Sequence, residues 1–393
     1  MAETAEPPGS NVTSTAVVVN TAADLSVEEQ LVARRIASVF VRAGADLLVA
    51  QSRHSPWRPG LPGRAFPAED SRPVRRRALE AALFFDGAPA CGCKKPQVQN
   101  VSPETESAWL GAAGGRSPQL VRSVVESEYE CLILVGLTST LTVELSESHR
   151  GRTVIVPLGS PDLRVFPRTR AALHRADAVL ATNAIEADRL REAGSIGGVT
   201  DVGIAFQAEL AEGSRHPLAP DTPYVLLIGD WSHTQRGQTL RRTAARLARQ
   251  LRAGLSLDVV LLTEEFIYPH LWPSCLTIRA GGSRRDLWQW MQGAVATVDL
   301  NPDSFAGRDA AEALLCGVPI IVPSGTAAHD HVQRCEGGIW YRHLEDVLAS
   351  IEVLTADPLL RTRLGRQGRA AAEKHFNVAA FTRRITEASG ATE

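Results

Sequence analysis

The chain is short of lysine, aromatic residues, cysteine and long apolar runs. Of its 42 Lys and Arg residues only Lys94, Lys95 and Lys374 are lysines, a bias most simply explained by a GC-rich genome. The formal net charge of -2 leaves no basic field of the kind that nonspecific nucleic-acid binding requires, so no nucleic-acid partner is expected. No apolar run approaches the ~20 residues of a membrane span. The first residues, MAETAEPPGSNVTST, have neither a positive start nor an apolar core, so they do not read as a secretory signal. The Asn-x-Ser/Thr matches at Asn11 and Asn100 are then fortuitous. Six cysteines are scattered, and only Cys91 and Cys93 are close, as Cys-Gly-Cys. With no further ligands nearby they read as free loop thiols, and no metal site is expected. Asp-x-Asp is missing too, and neither half opens with G-x-G-x-x-G, which argues against a nicotinamide oxidoreductase. The expectation is a soluble protein of a reducing, cytoplasmic compartment.

What the chain does contain is a repeated strand–helix order. Its 393 residues, 44% hydrophobic, suit two domains. Residues 1–14 read as a disordered tail. TAVVVN (15–20) is a continuous apolar run suited to a strand covered on both faces. Residues 27–45 carry apolar positions at helical spacing, and DLLVA (46–50) completes a βαβ unit. Residues 51–73 and 87–117 read as long irregular stretches. Strands are expected again at 131–137, 152–159, 178–183 and 198–205, with a helix at 184–194. This sets an N-terminal domain over 15–205 and a linker over 206–222, which holds His216-Pro217 and Ala219-Pro220. The second domain, 223–393, repeats the theme. Strands are expected at 224–229, 257–263, 275–280, 294–300, 318–323 and 337–342, and helices at 238–253, 284–292 and 308–316. Two long helices close the chain, one near 343–355 and one from Asp357-Pro358 onward. The fold class is α/β: two doubly wound, Rossmann-like domains facing a cleft.

Chemistry is concentrated in NPDSFAGRDAAEALLCGVPIIVPSG (301–325). A loop with Pro302, Asp303, Ser304, Ala306 and Gly307 leads into a helix carrying Glu312. Small loop residues let a ligand approach the backbone. The helix start near Arg308 offers N–H groups and positive dipole charge to a phosphate, and Glu312 could accept from a sugar diol. An ordinary βαβ crossover explains the same pattern.

The segment resembles the family 4 retaining glycosyltransferases of GT-B fold, whose signature is E-x7-E followed by A-x-x-x-G-x-P. Glu312, Ala313, Gly317 and Pro319 match its second part. The resemblance implies that Glu312 binds the nucleotide ribose. At the first-Glu position, where the family contacts the transferred sugar, stands Ser304, preceded by Asp303. Three alternatives stand open: Asp303 substitutes through a shifted loop, Ser304 recognises a different sugar, or the site is degenerate. The family also ends its first C-domain strand in Gly-Arg, with a Lys-Gly shortly after, to hold the donor pyrophosphate. Here Gly229 is kept, Asp230 replaces the Arg, and Arg236-Gly237 lies near the Lys-Gly position. Arg236 suits a phosphate clamp, with Arg308 or Arg284 as a second cation. Residues 281–287, including Arg284, fall where the family contacts the base. After the next strand comes Ser324-Gly325-Thr326, with His329 where many relatives carry Glu.

The resemblance implies a metal-independent transferase whose only small-molecule requirement besides an acceptor is a nucleotide-diphosphate sugar. In the N-terminal half Asp162 is the one ionisable side chain of its loop. It either orients an acceptor hydroxyl or simply makes a turn. The run Arg72, Arg75, Arg76 and Arg77 reads as a solvated helix start rather than a membrane-binding surface. Trp288, Trp290 and Trp340 read as core. The competing functional reading is a non-catalytic GT-B relative that binds a nucleotide sugar or a partner protein.

Overall fold

The computed structural model describes residues 15–20, 27–43, 45–51, 64–67, 118–136, 140–158, 167–192, 198–206, 216–229, 231, 235–263, 276–280, 284–302 and 306–390. They form two compact units. The first comprises Met1–Val202 and Thr382–Glu393, the second Gly203–Phe381.

The first unit is built on a parallel sheet of seven strands in the order β3-β2-β1-β4-β5-β6-β7. They are β1 Thr15–Asn20, β2 Asp46–Gln51, β3 Arg64–Pro67, β4 Cys131–Val135, β5 Arg152–Val156, β6 Ala178–Ala181 and β7 Val199–Asp201. Helices α1 Val27–Arg42, α2 Pro118–Glu126, α3 Thr140–Ser148, α4 Pro167–Arg175 and α5 Ala184–Glu192 connect them. β4 is buried at every position, as a central parallel strand flanked by helices must be. β3 corrects the reading of 51–73 as loop throughout. Its four residues pair in register with β2, Leu48 opposite Arg64. So short a run carries no alternation to betray it. β7 is likewise shorter than the strand expected over 198–205. Past Asp201, Val202 donates its N–H to Ala181, and the chain leaves the sheet.

The second unit has six parallel strands in the order β10-β9-β8-β11-β12-β13. These are β8 Tyr224–Ile228, β9 Asp258–Thr263, β10 Thr277–Ala280, β11 Ala296–Asp299, β12 Ile320–Pro323 and β13 Gly338–Tyr341. Its helices are α6 Gln235–Leu255, α7 Arg284–Gly293, α8 Arg308–Leu315, α9 Ala327–Cys335, α10 Leu344–Ala356 and α11 Pro358–His375. A last helix, α12 Val378–Ser389, carries the chain from the second unit into residues of the first. Leu240, Ala244, Leu247, Ala248 and Leu251 line one face of α6 at helical spacing and bury it against the sheet with Val347, Ile351 and Leu354 of α10. Three closing helices stand where two were expected. The break falls at Asn377, whose side chain accepts from the Ala379 and Ala380 N–H groups and so caps a new helix.

Both sheets reverse direction between their first and fourth strands. In an open parallel sheet, ligands settle in the crevice outside the carboxyl ends of the strands at this reversal. In the second unit the reversal lies between β8 and β11. Beyond β8 the chain passes Gly229 before α6, and beyond β11 it reaches Gly307 and then Arg308, the first residue of α8.

Candidate functional site

β11 ends at Asp299, almost fully buried. Its carboxylate accepts from the Asn301 N–H at 2.8 Å, and the Tyr341 hydroxyl donates to its carbonyl at 3.0 Å. Leu300 donates its N–H to Ile228 at 2.9 Å. The exit of β11 is thereby tied to the adjacent β8 and to β13, two strands away, and this fixes the start of the next loop.

The loop ends at Ala306-Gly307. Gly307 precedes α8 with φ 62° and makes no side-chain cap bond. A Cβ here would lie 2.7 Å from the Ala328 nitrogen and 2.8 Å from the His331 ring. Glycine is required by the positive φ and by the close approach of α9. His331 is buried, and its Nε2 lies 2.7 Å from the Ala306 carbonyl oxygen. A carbonyl only accepts, so Nε2 carries the proton and donates. Phe206 and Phe376 enclose the ring edge-on, at 6.1 and 4.9 Å between centroids. His331 thus sets the last loop residue before Gly307. Nothing in its local sequence signals this.

The helix that follows buries an acid. Residues Ala310 to Leu315 of α8 are all buried, and Glu312 is only 2% exposed. A carboxylate this deep needs charged or hydrogen-bonding partners. Arg308, one turn earlier, donates its Nε to Oε1 at 2.7 Å. Trp288 donates its indole N–H to Oε2 at 2.7 Å, and Arg284 donates to the same oxygen through Nη2. The same Nη2 reaches Asp309 at 2.7 Å. Arg284 and Arg308 are the first residues of α7 and α8. Burial works against the Arg284 charge, but the carboxylates of Asp309 and Glu312 outweigh it and hold its pKa above the ordinary value. Two cations and two acids therefore meet where two helices begin.

A second group surrounds the start of α9. The Thr326 side chain caps this helix by accepting from the His329 N–H. Gly325, with φ 76°, donates its N–H to His329 Nδ1 at 3.1 Å. The neutral imidazole then keeps its proton on Nε2, which is buried and has no hydrogen-bond partner among the described residues. Burial lowers the His329 pKa; Asp330 opposes the shift and Arg342 adds to it. Trp340 lies 5.2 Å from this ring and has Arg342 5.4 Å from its own centroid.

Of the expected site residues, Arg284, Arg308 and Glu312 come together in direct contact. Gly307 adjoins them, with its Cβ side filled by α9. Gly229 follows β8, and a Cβ there would meet the Trp231 ring at 3.3 Å. Asp303, Ser304, Asp162 and the side chain of Arg236 lie outside the described residues, as do Asp230, the 72–77 arginine run and Cys91 and Cys93. The aromatic set divides. Trp290 is core, stacked on His216 at 4.6 Å. Trp340, 42% exposed, is not core, which corrects that expectation. Among the described residues β13 is the edge strand of its sheet. Trp288 belongs to the Glu312 cluster. It sits four residues after Arg284, on the same helical face, and that spacing was the available signal. Among the described residues no helix is long and apolar enough to cross a membrane.

No protein-family model matches the chain, and no curated protein matches it by sequence. Solved structures do share its architecture. Sucrose-phosphate synthase from Thermosynechococcus elongatus aligns over 95% of this chain and 98% of its own, with TM-score 0.62 and 15% identity. HepE from Anabaena, solved with UDP, aligns over 96% and 100%, with TM-score 0.65 and 13% identity. The chain has the GT-B fold. CalG4, the calicheamicin glycosyltransferase, shares it at TM-score 0.56 and 11% identity, over 96% of this chain and 98% of its own. At these identities the likeness is one of fold.

Proposed function

We propose that this chain is a GT-B glycosyltransferase that moves a sugar from a nucleotide-diphosphate donor to an acceptor hydroxyl in the cytoplasm, with retention and without a metal. The observation that carries this reading is the meeting of Arg284, Arg308, Asp309 and Glu312 at the starts of α7 and α8 in the second unit. The fold adds support, because HepE shares it and has been solved with UDP and with UDP-glucose. In this scheme the bond from sugar to diphosphate breaks, positive charge develops on the ring, the acceptor oxygen bonds to the anomeric carbon on the face the diphosphate leaves, and the departing phosphate oxygen takes the acceptor's proton. Guanidinium groups and the helix start stabilise the departing diphosphate, with no general base at that centre. Asp303 and Ser304 would face the sugar, Gly229 and Arg236 would approach from the β8 side, and Asp162 would orient the acceptor.

Calorimetry with UDP-, GDP-, ADP- and dTDP-sugars tests this directly. One of them is expected to bind below millimolar concentration, and NMR of the transfer product is expected to show the donor's anomeric configuration. Failure of every donor to bind would remove the reading. Binding without transfer to any acceptor would favour a non-catalytic nucleotide-sugar binder. That second reading is motivated by Ser304 and Asp230, which stand where the family places a Glu and an Arg.

A further inference from the structure

Glu312 has little capacity left for a ribose. A carboxylate offers about four lone-pair sites, two on each oxygen. Oε2 accepts from both Arg284 and Trp288, and Oε1 accepts from Arg308. One site remains, on Oε1. A ribose diol that donates one hydroxyl to each oxygen would have to displace a charged or indole donor from a carboxylate that is 2% exposed. Breaking a buried ion pair of this kind is costly.

The two cations are differently placed. The Arg308 and Arg284 side chains are 19% and 28% exposed, so both reach the surface of the cluster from the anchored carboxylate. They come from two helices, and both stand at a helix start, where the dipole also favours an anion. The Arg284 Nε is buried and has no hydrogen-bond partner among the described residues. Asp309, at 31% exposure, is the one acid of the cluster near solvent, and it shares Arg284 with Glu312. A guanidinium has five N–H donors in a planar fork, so it can hold a carboxylate on one side and meet a phosphate with what remains.

We infer that Glu312 is a positioning residue rather than the ribose contact, and that Arg284 and Arg308, held by it, grip the diphosphate of the donor. The inference rests on the nucleotide-sugar reading for the identity of the ligand, but not for the chemistry of the grip. It also supplies two cations to a site in which Asp230 stands at the family's Arg position. Trp288 acts with Glu312: its indole N–H fills the carboxylate site that a ribose hydroxyl would otherwise take.

The test compares UDP, 2′,3′-dideoxy-UDP and inorganic pyrophosphate by calorimetry on the full chain. The wild type is expected to bind UDP and its dideoxy form within about threefold of each other, and to bind pyrophosphate in competition with UDP. Glu312→Gln is expected to weaken all three together, about tenfold or more, with its unfolding still cooperative. Arg284→Lys and Arg308→Lys are expected to weaken pyrophosphate and leave the ratio of UDP to dideoxy-UDP unchanged. A wild type that binds UDP at least tenfold more tightly than the dideoxy form overturns the inference, and this comparison needs no variant to fold. Unchanged pyrophosphate affinity in Glu312→Gln overturns it as well. Pyrophosphate binding without UDP binding would sustain the grip and remove the nucleotide-sugar reading. Binding of none of the three would remove both.

Discussion

Each unit buries a glutamate near the start of a helix, and the two acids are satisfied in different ways. Glu186 of α5 is 5% exposed, and its Oε2 accepts from the Thr182 N–H at 2.7 Å and the Thr182 hydroxyl at 2.8 Å. The Asn183 side chain returns the favour by accepting from the Glu186 N–H. All these donors lie within four residues, so this is a reciprocal helix cap. Glu312 of α8 is as deeply buried, but two of its three donors, Arg284 and Trp288, lie 28 and 24 residues away. A local cap finishes a helix. An acid that gathers a cation from another helix arranges charge where two helices begin. Depth of burial alone does not separate the two roles; the origin of the partners does.

Substitution should divide these two sites most sharply. Glu312→Ala leaves two guanidiniums around an empty, buried position. It is expected to cost about 3–5 kcal/mol in urea denaturation and to abolish nucleotide binding. Glu186→Ala is expected to cost about 1–2 kcal/mol and to leave nucleotide binding unchanged. Equal losses of binding in the two variants would break the comparison. Gly307→Ala comes next. It combines a φ of 62° with overlap at 2.7 Å against backbone, and about 2–3 kcal/mol of destabilisation is expected in the same measurement. His331→Leu leaves the Ala306 carbonyl without its buried donor, at a cost of about 1–3 kcal/mol. His331→Gln can place an N–H near the same position, and its melting temperature is expected to lie closer to wild type.

The smallest effect is a pH dependence. Burial disfavours the charged form of His329, so its folded-state pKa lies below the ordinary histidine value of 6.5. Between the folded and unfolded values the unfolded chain binds more protons. The contribution of His329 to stability is therefore present above the unfolded pKa and is lost as pH falls through the folded one. NMR titration of the ring is expected to give a midpoint under 6.5. A midpoint at or above that value would show that the Gly325 N–H does not need the neutral Nδ1.

Much of the fold was legible. Apolar runs such as CLILVG and YVLLIG, spaced by helical stretches, report a doubly wound sheet because each strand must be apolar on both faces. β3 is not legible, since four residues carry no period, and the helix break at Asn377 rests on one Asn cap inside a continuous helical pattern. The segment around Glu312 was found through its family resemblance. Its neighbours Asp309 and Trp288 do not stand out in the sequence, because Asp309 sits in the first turn like any helix-start acid and Trp reads as core.

By itself, the sequence determined the two parallel sheets and the helix carrying Glu312, since each depends on periodicity or on spacing within a turn or two. Only the tertiary structure decided what surrounds Glu312, what holds Ala306 and why residue 307 is glycine. Those answers depend on α7 and α9 packing against α8 from elsewhere in the chain, and no local spacing encodes which distant donor will reach a buried acid.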